Sequence, residues 1–329
     1  MSRTARMPKC CSRARASARS ARASRARSKP ISAARRRNPD VPRALGATMT
    51  DSPTPARPLA RVWLVVNAGS GSTDAAVIEG LTVALGTRGV AVAGTTDFPE
   101  QALPDAARLR AADADTLLIC GGDGTINAAW SAADDWEGQC VVLPGGTMNG
   151  LAKALHGDNG RDAILDAVAT ATLVNPPTAS TGVYHALVGV ILGPAASWVR
   201  AREGVRKGRF IRAMRAARLA WARSFGRTIR VARTAGKHRA VIVTPGETGL
   251  EVATISADGV TDAIRLGWQW LLGDWRTAPG VAVTTTDSVT LLGHRKVRAL
   301  FDGEPAMLPS PAVVRFGRTR LKFVRTKPA

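Results

Sequence analysis

Between residues 61 and 172 the chain alternates two patterns. The continuous apolar run at 62–66 and the short, largely apolar runs at 90–93, 116–120 and 140–143 have the length and make-up of strands buried on both faces of a parallel sheet. Each is followed by apolar positions at helical spacing: one stretch ending near 87, then about 100–112, 125–133 and 148–156. Strands alternating with helices predict an open, mostly parallel α/β sheet with flanking helices. Three of the strand-to-helix junctions are glycine-rich, at 67–72, 121–125 and 144–149. Ligands of such sheets bind beyond the carboxyl ends of the strands, and all three loops fall there.

After about 172 the pattern becomes β-rich, with strands expected near 182–191, 227–233, 238–244, 250–255, 281–291 and 297–301. One long basic helical segment, about 196–224, interrupts them. This predicts a second, C-terminal β-rich sandwich domain carrying a helical insertion. Closing strands at 312–316 and 321–324 fit either domain. The expected division is a basic extension over 1–60, an α/β domain over 61–172, a β-rich domain over 173–310, and closing strands over 311–329.

Charge sharpens this division. The formal net charge is +21, but residues 1–48 hold 14 Lys/Arg against the single acid Asp40. The extension over 1–60, Arg/Ser/Ala-rich and then Pro/Thr-rich, has almost no apolar periodicity and is expected to be disordered. Its composition also fits a transit peptide or a basic arm for nucleic acid, and translation starting at Met49 is a further reading. The rest of the chain is moderately basic, which suits anionic partners. Cys10, Cys11, Cys120 and Cys140 form no CxxC pair or disulfide framework, so a reducing, cytoplasmic setting is expected. The four histidines lack ligand spacing, and no apolar run reaches the roughly 18–20 residues of a membrane-spanning helix.

The glycine loops carry the candidate chemistry. Gly121, Gly122 and Gly124 allow close backbone approach to a phosphate, and the helix start behind them offers free N–H groups to an anion. Thr125 adds a hydroxyl. Asp123 would repel phosphate, so it is read as meeting Mg²⁺ or a substrate or ribose hydroxyl; the plainer alternative is a turn with an Asp cap. Gly146, with Thr147 and Asn149 as polar anchors, repeats the logic at the next strand tip. Asn67, Ser70 and Gly71 supply a third wall. Neither GxxxxGK[ST] nor GxGxxG is present, which disfavours P-loop NTPases and Rossmann dehydrogenases.

Val66-Asn67 with its Gly/Ser loop, Gly-Gly-Asp-Gly-Thr at 121–125 and Pro-Gly-Gly-Thr-Met-Asn at 144–149 resemble the nucleotide loops of diacylglycerol kinase catalytic domains, the family of bacterial lipid kinases and sphingosine kinases. Asp258-Gly259-Val260-Thr261-Asp262 and Phe301-Asp302-Gly303-Glu304 resemble two later motifs of that family. The likeness covers about 61–329. It implies an NAD kinase/diacylglycerol kinase-like first domain, ATP and Mg²⁺ as co-substrate and metal, and a lipid hydroxyl as acceptor. Thr96, the 121–125 loop and Thr147 would contact nucleotide. Glu304 would be the base, and Asp302 would face the reaction centre. A structural Mg²⁺ site is implied at Asp258 with the carbonyls of Ile255 and Val260. Relatives commonly carry an Asp where this chain has Gly150, which leaves the acceptor lipid open.

Independently of the resemblance, phosphoryl transfer needs a carboxylate to take the acceptor's proton, and a second one can hold Mg²⁺. That fits Glu304 and Asp302; a solvated Asp-Gly hairpin turn is the plainer alternative. Twelve Lys/Arg in 200–233 against Glu203, interleaved with Trp198, Phe210, Met214, Trp221 and Phe225, fit peripheral contact with an anionic membrane. Trp268, Trp270 and Trp275 form a second apolar cluster that fits either the lipid or the domain core. The competing functions are an NAD kinase-like enzyme with a soluble acceptor and a catalytically weak lipid-binding protein of the same fold. No nucleic-acid motif accompanies the basic tail, and the sequence leaves the oligomeric state open.

Overall fold

The structure, a computed structural model, describes residues 54–67, 75–193, 228–232, 236–255, 281–293 and 296–328. All lie in the unit Asp51–Ala329. Residues 1–53 of the extension expected to be disordered over 1–60, Ser70 and Gly71, the helical segment 196–224, Asp258 and Val260, and the three tryptophans of 268–275 fall outside the described residues; the last part of that extension is ordered instead, with Thr54–Pro55 paired to Thr172–Leu173.

The first sheet is built around β2 (Arg61–Val66), β3 (Ala91–Asp97), β4 (Thr116–Gly121) and β5 (Gln139–Pro144), all parallel, in the order β3-β2-β4-β5. β18 (Lys322–Arg325) comes back from the far end of the chain to lie parallel beside β5. The antiparallel strands β6 (Thr172–Val174) and β1 (Thr54–Pro55) complete that edge. The apolar runs have the expected cause, because successive side chains point to opposite faces and both faces are covered. Trp63, Val65, Leu117, Ile119 and Val142 pack with α3 (Asp123–Ala133) and α4 (Gly150–His156). Val62, Leu64, Leu118 and Leu143 pack with α1 (Ala75–Thr87) and α5 (Arg161–Ala167).

β3 is longer than its apolar run predicted. It continues through Gly94-Thr95-Thr96-Asp97, pairing with β2 across an irregularity at Val62/Trp63. A side chain at Gly94 would lie 2.6 Å from the Trp63 ring, so the glycine makes room for the indole. α2 (Ala106–Ala111) is shorter than the 100–112 expected; the Asp105 carboxylate accepts from the Arg108 N–H and starts it there.

The rest forms two antiparallel sheets. One holds β10 (Arg230–Val231), β14 (Ser288–Leu292), β17 (Ala312–Arg318), β7 (Pro177–Ser180) and β8 (His185–Ala186), in that order. The other runs β13 (Val281–Thr286), β12 (Leu250–Ile255), β11 (Ala240–Pro245), β9 (Val190–Leu192), β15 (Lys296–Phe301), β16 (Glu304–Pro309). Their inner faces share one core, with Val190, Val241, Val297 and Phe301 meeting Ala179, Val289, Leu291 and Val314. The single strand expected at 281–291 is two: the chain leaves one sheet at Thr286 and enters the other at Ser288.

α4 ends on His156, a buried residue whose Nδ1 lies 3.0 Å from Thr326 Oγ1. Burial pushes its pKa down to about 4, against a smaller upward pull from the Val142 backbone. The unfolded chain therefore takes up this proton first, near the ordinary 6.5. The stability held by the neutral ring is complete above that value and is lost as pH falls toward about 4. A His156→Gln variant is expected to lose less Tm than wild type between pH 7 and pH 5. Equal losses would show that His156 does not carry this limb.

Candidate active site

The carboxyl ends of β2, β4 and β5 converge as predicted. Asn67, just past β2, donates from Nδ2 to Thr125 Oγ1 at 2.9 Å, tying the first loop to the second. Gly145 N–H donates to the Gly121 carbonyl, tying the second to the third. Gly146 lies so close to the second loop that a Cβ there would sit 2.5 Å from Gly122 Cα. The approach is backbone on backbone, which is why this position is glycine. α3 then begins at Asp123 with Gly122 as its N-cap and no side chain capping it, so its first N–H groups face the junction of the loops.

Asp123 does something other than expected. Its Oδ2 accepts from the Gly150 N–H at 3.0 Å and its Oδ1 from the Leu151 N–H at 3.1 Å. It caps α4, the helix behind the third loop, and so stiffens that loop rather than reaching into the cleft. Asn149 stands in the left-handed region (φ 50°), and its Oδ1 accepts from the Gly146 N–H at 2.7 Å. Thr147 is exposed beside it. Thr96, the nucleotide contact implied by resemblance, is fully buried and accepts from Trp63 Nε1 at 3.0 Å. In this structure it supports the sheet and does not line the cleft.

The second wall comes from the antiparallel sheets. Asp302 (φ 47°) and Gly303 (φ 93°) form the two-residue turn between β15 and β16, with Phe301 paired to Glu304. Two successive positive φ values are what a tight hairpin of this hand requires, and Asp-Gly supplies them. The turn brings Glu304 over the start of α3: a Cβ on Gly124 would lie 2.9 Å from Glu304 Oε1. Glu304 itself is exposed. An open carboxylate thus stands beside an uncapped helix N-terminus.

Asp302 is held quite differently. Its Oδ2 accepts from Leu187 N–H at 2.7 Å and Asn127 Nδ2 at 2.8 Å; its Oδ1 accepts from the Val188 and Gly189 N–H groups, each at 2.9 Å. Burial pushes its pKa up to about 6, with the Leu187, Gly189, Val188 and Asn127 donors pulling the other way. The four donors use the lone pairs that a metal would need, so Asp302 does not fit the Mg²⁺-holding role expected of it. Ile255, read as a carbonyl ligand, accepts at that carbonyl from the Arg239 N–H at 2.8 Å.

Three features of the site escaped the sequence reading. Asn127 is one; a polar residue amid the apolar positions of α3 was its only signal. The Leu187–Gly189 amides are the second, and backbone donors leave no trace in composition. Val188 is the third: a Cβ on Gly150 would lie 2.7 Å from Val188 Cγ1. A valine methyl from the opposite wall thus occupies the space that a side chain at position 150 would need.

Residues 61–177 match the family model of the diacylglycerol kinase catalytic domain. Among solved structures, a diacylglycerol kinase from Bacillus anthracis str. Sterne is similar at 13% identity and a TM-score of 0.53, over 82% of this chain and 98% of that one. A second structure from the same organism, described as a candidate diacylglycerol kinase, is similar at 15% identity and a TM-score of 0.56 over the same shares. At such identities the likeness is one of fold. No curated protein matches the chain.

Proposed function

We propose that this chain, whose residues 61–177 carry a diacylglycerol kinase catalytic domain, is an ATP-dependent lipid kinase that transfers the γ-phosphoryl group to a lipid hydroxyl. The observation that supports it most is the placement of Glu304. A solvent-open carboxylate from one wall lies against Gly124 at the uncapped start of α3 on the other. Phosphate belongs at such a helix start, and an acceptor's proton belongs on such a carboxylate.

In this reading the backbone of 121–125 and 144–147 holds the nucleotide's phosphates. Glu304 takes the proton from the lipid hydroxyl, whose oxygen bonds to the γ-phosphorus as the bridging oxygen leaves with ADP. Mg²⁺ accompanying the nucleotide would neutralise phosphate charge. Among the described residues no cluster of three or more His, Cys, Asp or Glu is placed to hold a metal. Offering γ-labelled ATP with either mixed lipid vesicles or NAD tests the acceptor class. Label in the lipid phase is expected; label only in the soluble acceptor overturns the reading in favour of an NAD kinase-like enzyme.

Among the described residues no helix is long and apolar enough to cross a membrane. The reading includes peripheral contact with an anionic bilayer, supported by the basic, aromatic-bearing sequence of 200–233. Each basic residue near such a surface contributes about 1 kcal/mol, screened by salt. Charge reversal at Arg209, Arg212 and Arg215 is expected to weaken co-sedimentation with phosphatidylserine vesicles. Unchanged binding would remove this segment from the membrane contact.

A further inference from the structure

Three residues in the first turns of α3 are each tied to a different part of the site. Asp123 holds the amides that open α4, Gly124 faces Glu304, and Asn127, one turn on from Asp123, reaches the opposite wall. Both N–H groups of the Asn127 amide are used, and its oxygen has a partner. Nδ2 donates to the His185 carbonyl at 2.7 Å and to Asp302 Oδ2 at 2.8 Å, while Oδ1 accepts from Ser131 Oγ at 3.3 Å. Asp302 in turn gathers the Leu187, Val188 and Gly189 N–H groups, and its own N–H donates to the Gly189 carbonyl at 3.0 Å. One carboxylate therefore bridges the helix of the α/β sheet, the segment between β8 and β9, and the hairpin that carries Glu304.

We infer that Asn127 is a positioning residue: through Asp302 it clasps the β15–β16 hairpin to α3 and so fixes Glu304 over Gly124. Three features set this apart from ordinary packing. The clasped carboxylate sits in a turn whose left-handed backbone aims it back at 187–189 rather than outward. Its four donors come from two different walls of the cleft. Glu304 is only two residues from it, so a slackened Asp302 moves the candidate base directly. The ionisable groups on the surrounding elements are Asp123 on α3, His185 on β8, Lys296 and Arg298 on β15, and Glu304 on β16. The inference rests on the kinase reading for its catalytic consequence but not for the clasp itself, and the test separates the two.

Asn127→Ala in the full chain is read by hydrogen exchange at the 187–189 amides and by steady-state kinetics with ATP and lipid vesicles. Losing one charge-assisted hydrogen bond of the four corresponds to roughly ten- to hundredfold faster exchange at these amides. kcat is expected to fall at least several-fold while the KM for ATP holds, because the phosphate loops are not part of the clasp. Unchanged exchange overturns the clasp. Faster exchange with unchanged kcat overturns the positioning role. Faster exchange in a protein whose wild type phosphorylates no lipid leaves the clasp standing and defeats the kinase reading alone. Asn127→Asp gives a second reading should the alanine variant not fold. It places two carboxylates together, which repel at high pH and share a proton at lower pH. The ratio of its exchange to that of wild type is expected to fall as pH is lowered from 8 to 5.5. A ratio independent of pH contradicts the clasp.

Discussion

Replacing Glu304 by glutamine is expected to lower kcat by about 10²–10⁴-fold, the usual contribution of a general base. The substitution keeps the shape of the side chain and most of its hydrogen bonding, and removes only its ability to take a proton. Glu304 is exposed and lies outside the buried hairpin core, so stability should hardly change. ATP affinity should also hold, because the loops at 121–125 and 144–149 contact different groups. Gly124→Ala reaches the same carboxylate from the other wall, and because Gly124 belongs to the proposed phosphate loop it is expected to change ATP affinity as well as turnover. Its new methyl meets the end of a flexible side chain, Glu304 Oε1 at 2.9 Å, and so displaces the carboxylate without disturbing backbone. A Glu304→Gln enzyme with near-normal turnover would remove the base from this position.

Gly146→Ala should act on binding instead. The added methyl would stand 2.5 Å from Gly122 Cα, and neither partner is a movable side chain. One loop must shift away from the other, at a cost of about 1–3 kcal/mol, or roughly 5- to 150-fold in ATP affinity if the strain falls on the phosphate loops. Titration calorimetry on the folded variant reads this directly. ATP affinity equal to that of wild type would mean that the two loops do not jointly hold the nucleotide. Glu304→Gln and Gly146→Ala would together divide the site as proposed, with one wall governing turnover and the other governing binding.

The sheet and its loops were legible because their causes are local. An apolar run such as 62–66 has few alternatives to a doubly buried strand, and glycines at strand tips announce close backbone approach. The Asp302-Gly303 pair was legible as a hairpin turn for the same reason. What the sequence hid was which groups spend their hydrogen bonds on each other. Asp123 and Asp302 were both read as facing ligand. The fold directs both inward, one to the amides of α4 and the other to the amides of 187–189. Thr96 is put at the cleft by the family resemblance alone, yet the pleat turns it toward Trp63. The break at Asp287 was hidden because two strands of different sheets are joined through one residue, with no glycine or proline between them.

The most direct test of the central claim is to incubate the purified chain with γ-labelled ATP and a total lipid extract, beside the Glu304→Gln variant, and to identify any labelled product by mass. A lipid bearing one new phosphate on a former hydroxyl, formed by wild type and at least about a hundredfold more slowly by the variant, is the predicted result. Label absent from the lipid phase, or equal in both proteins, would contradict it.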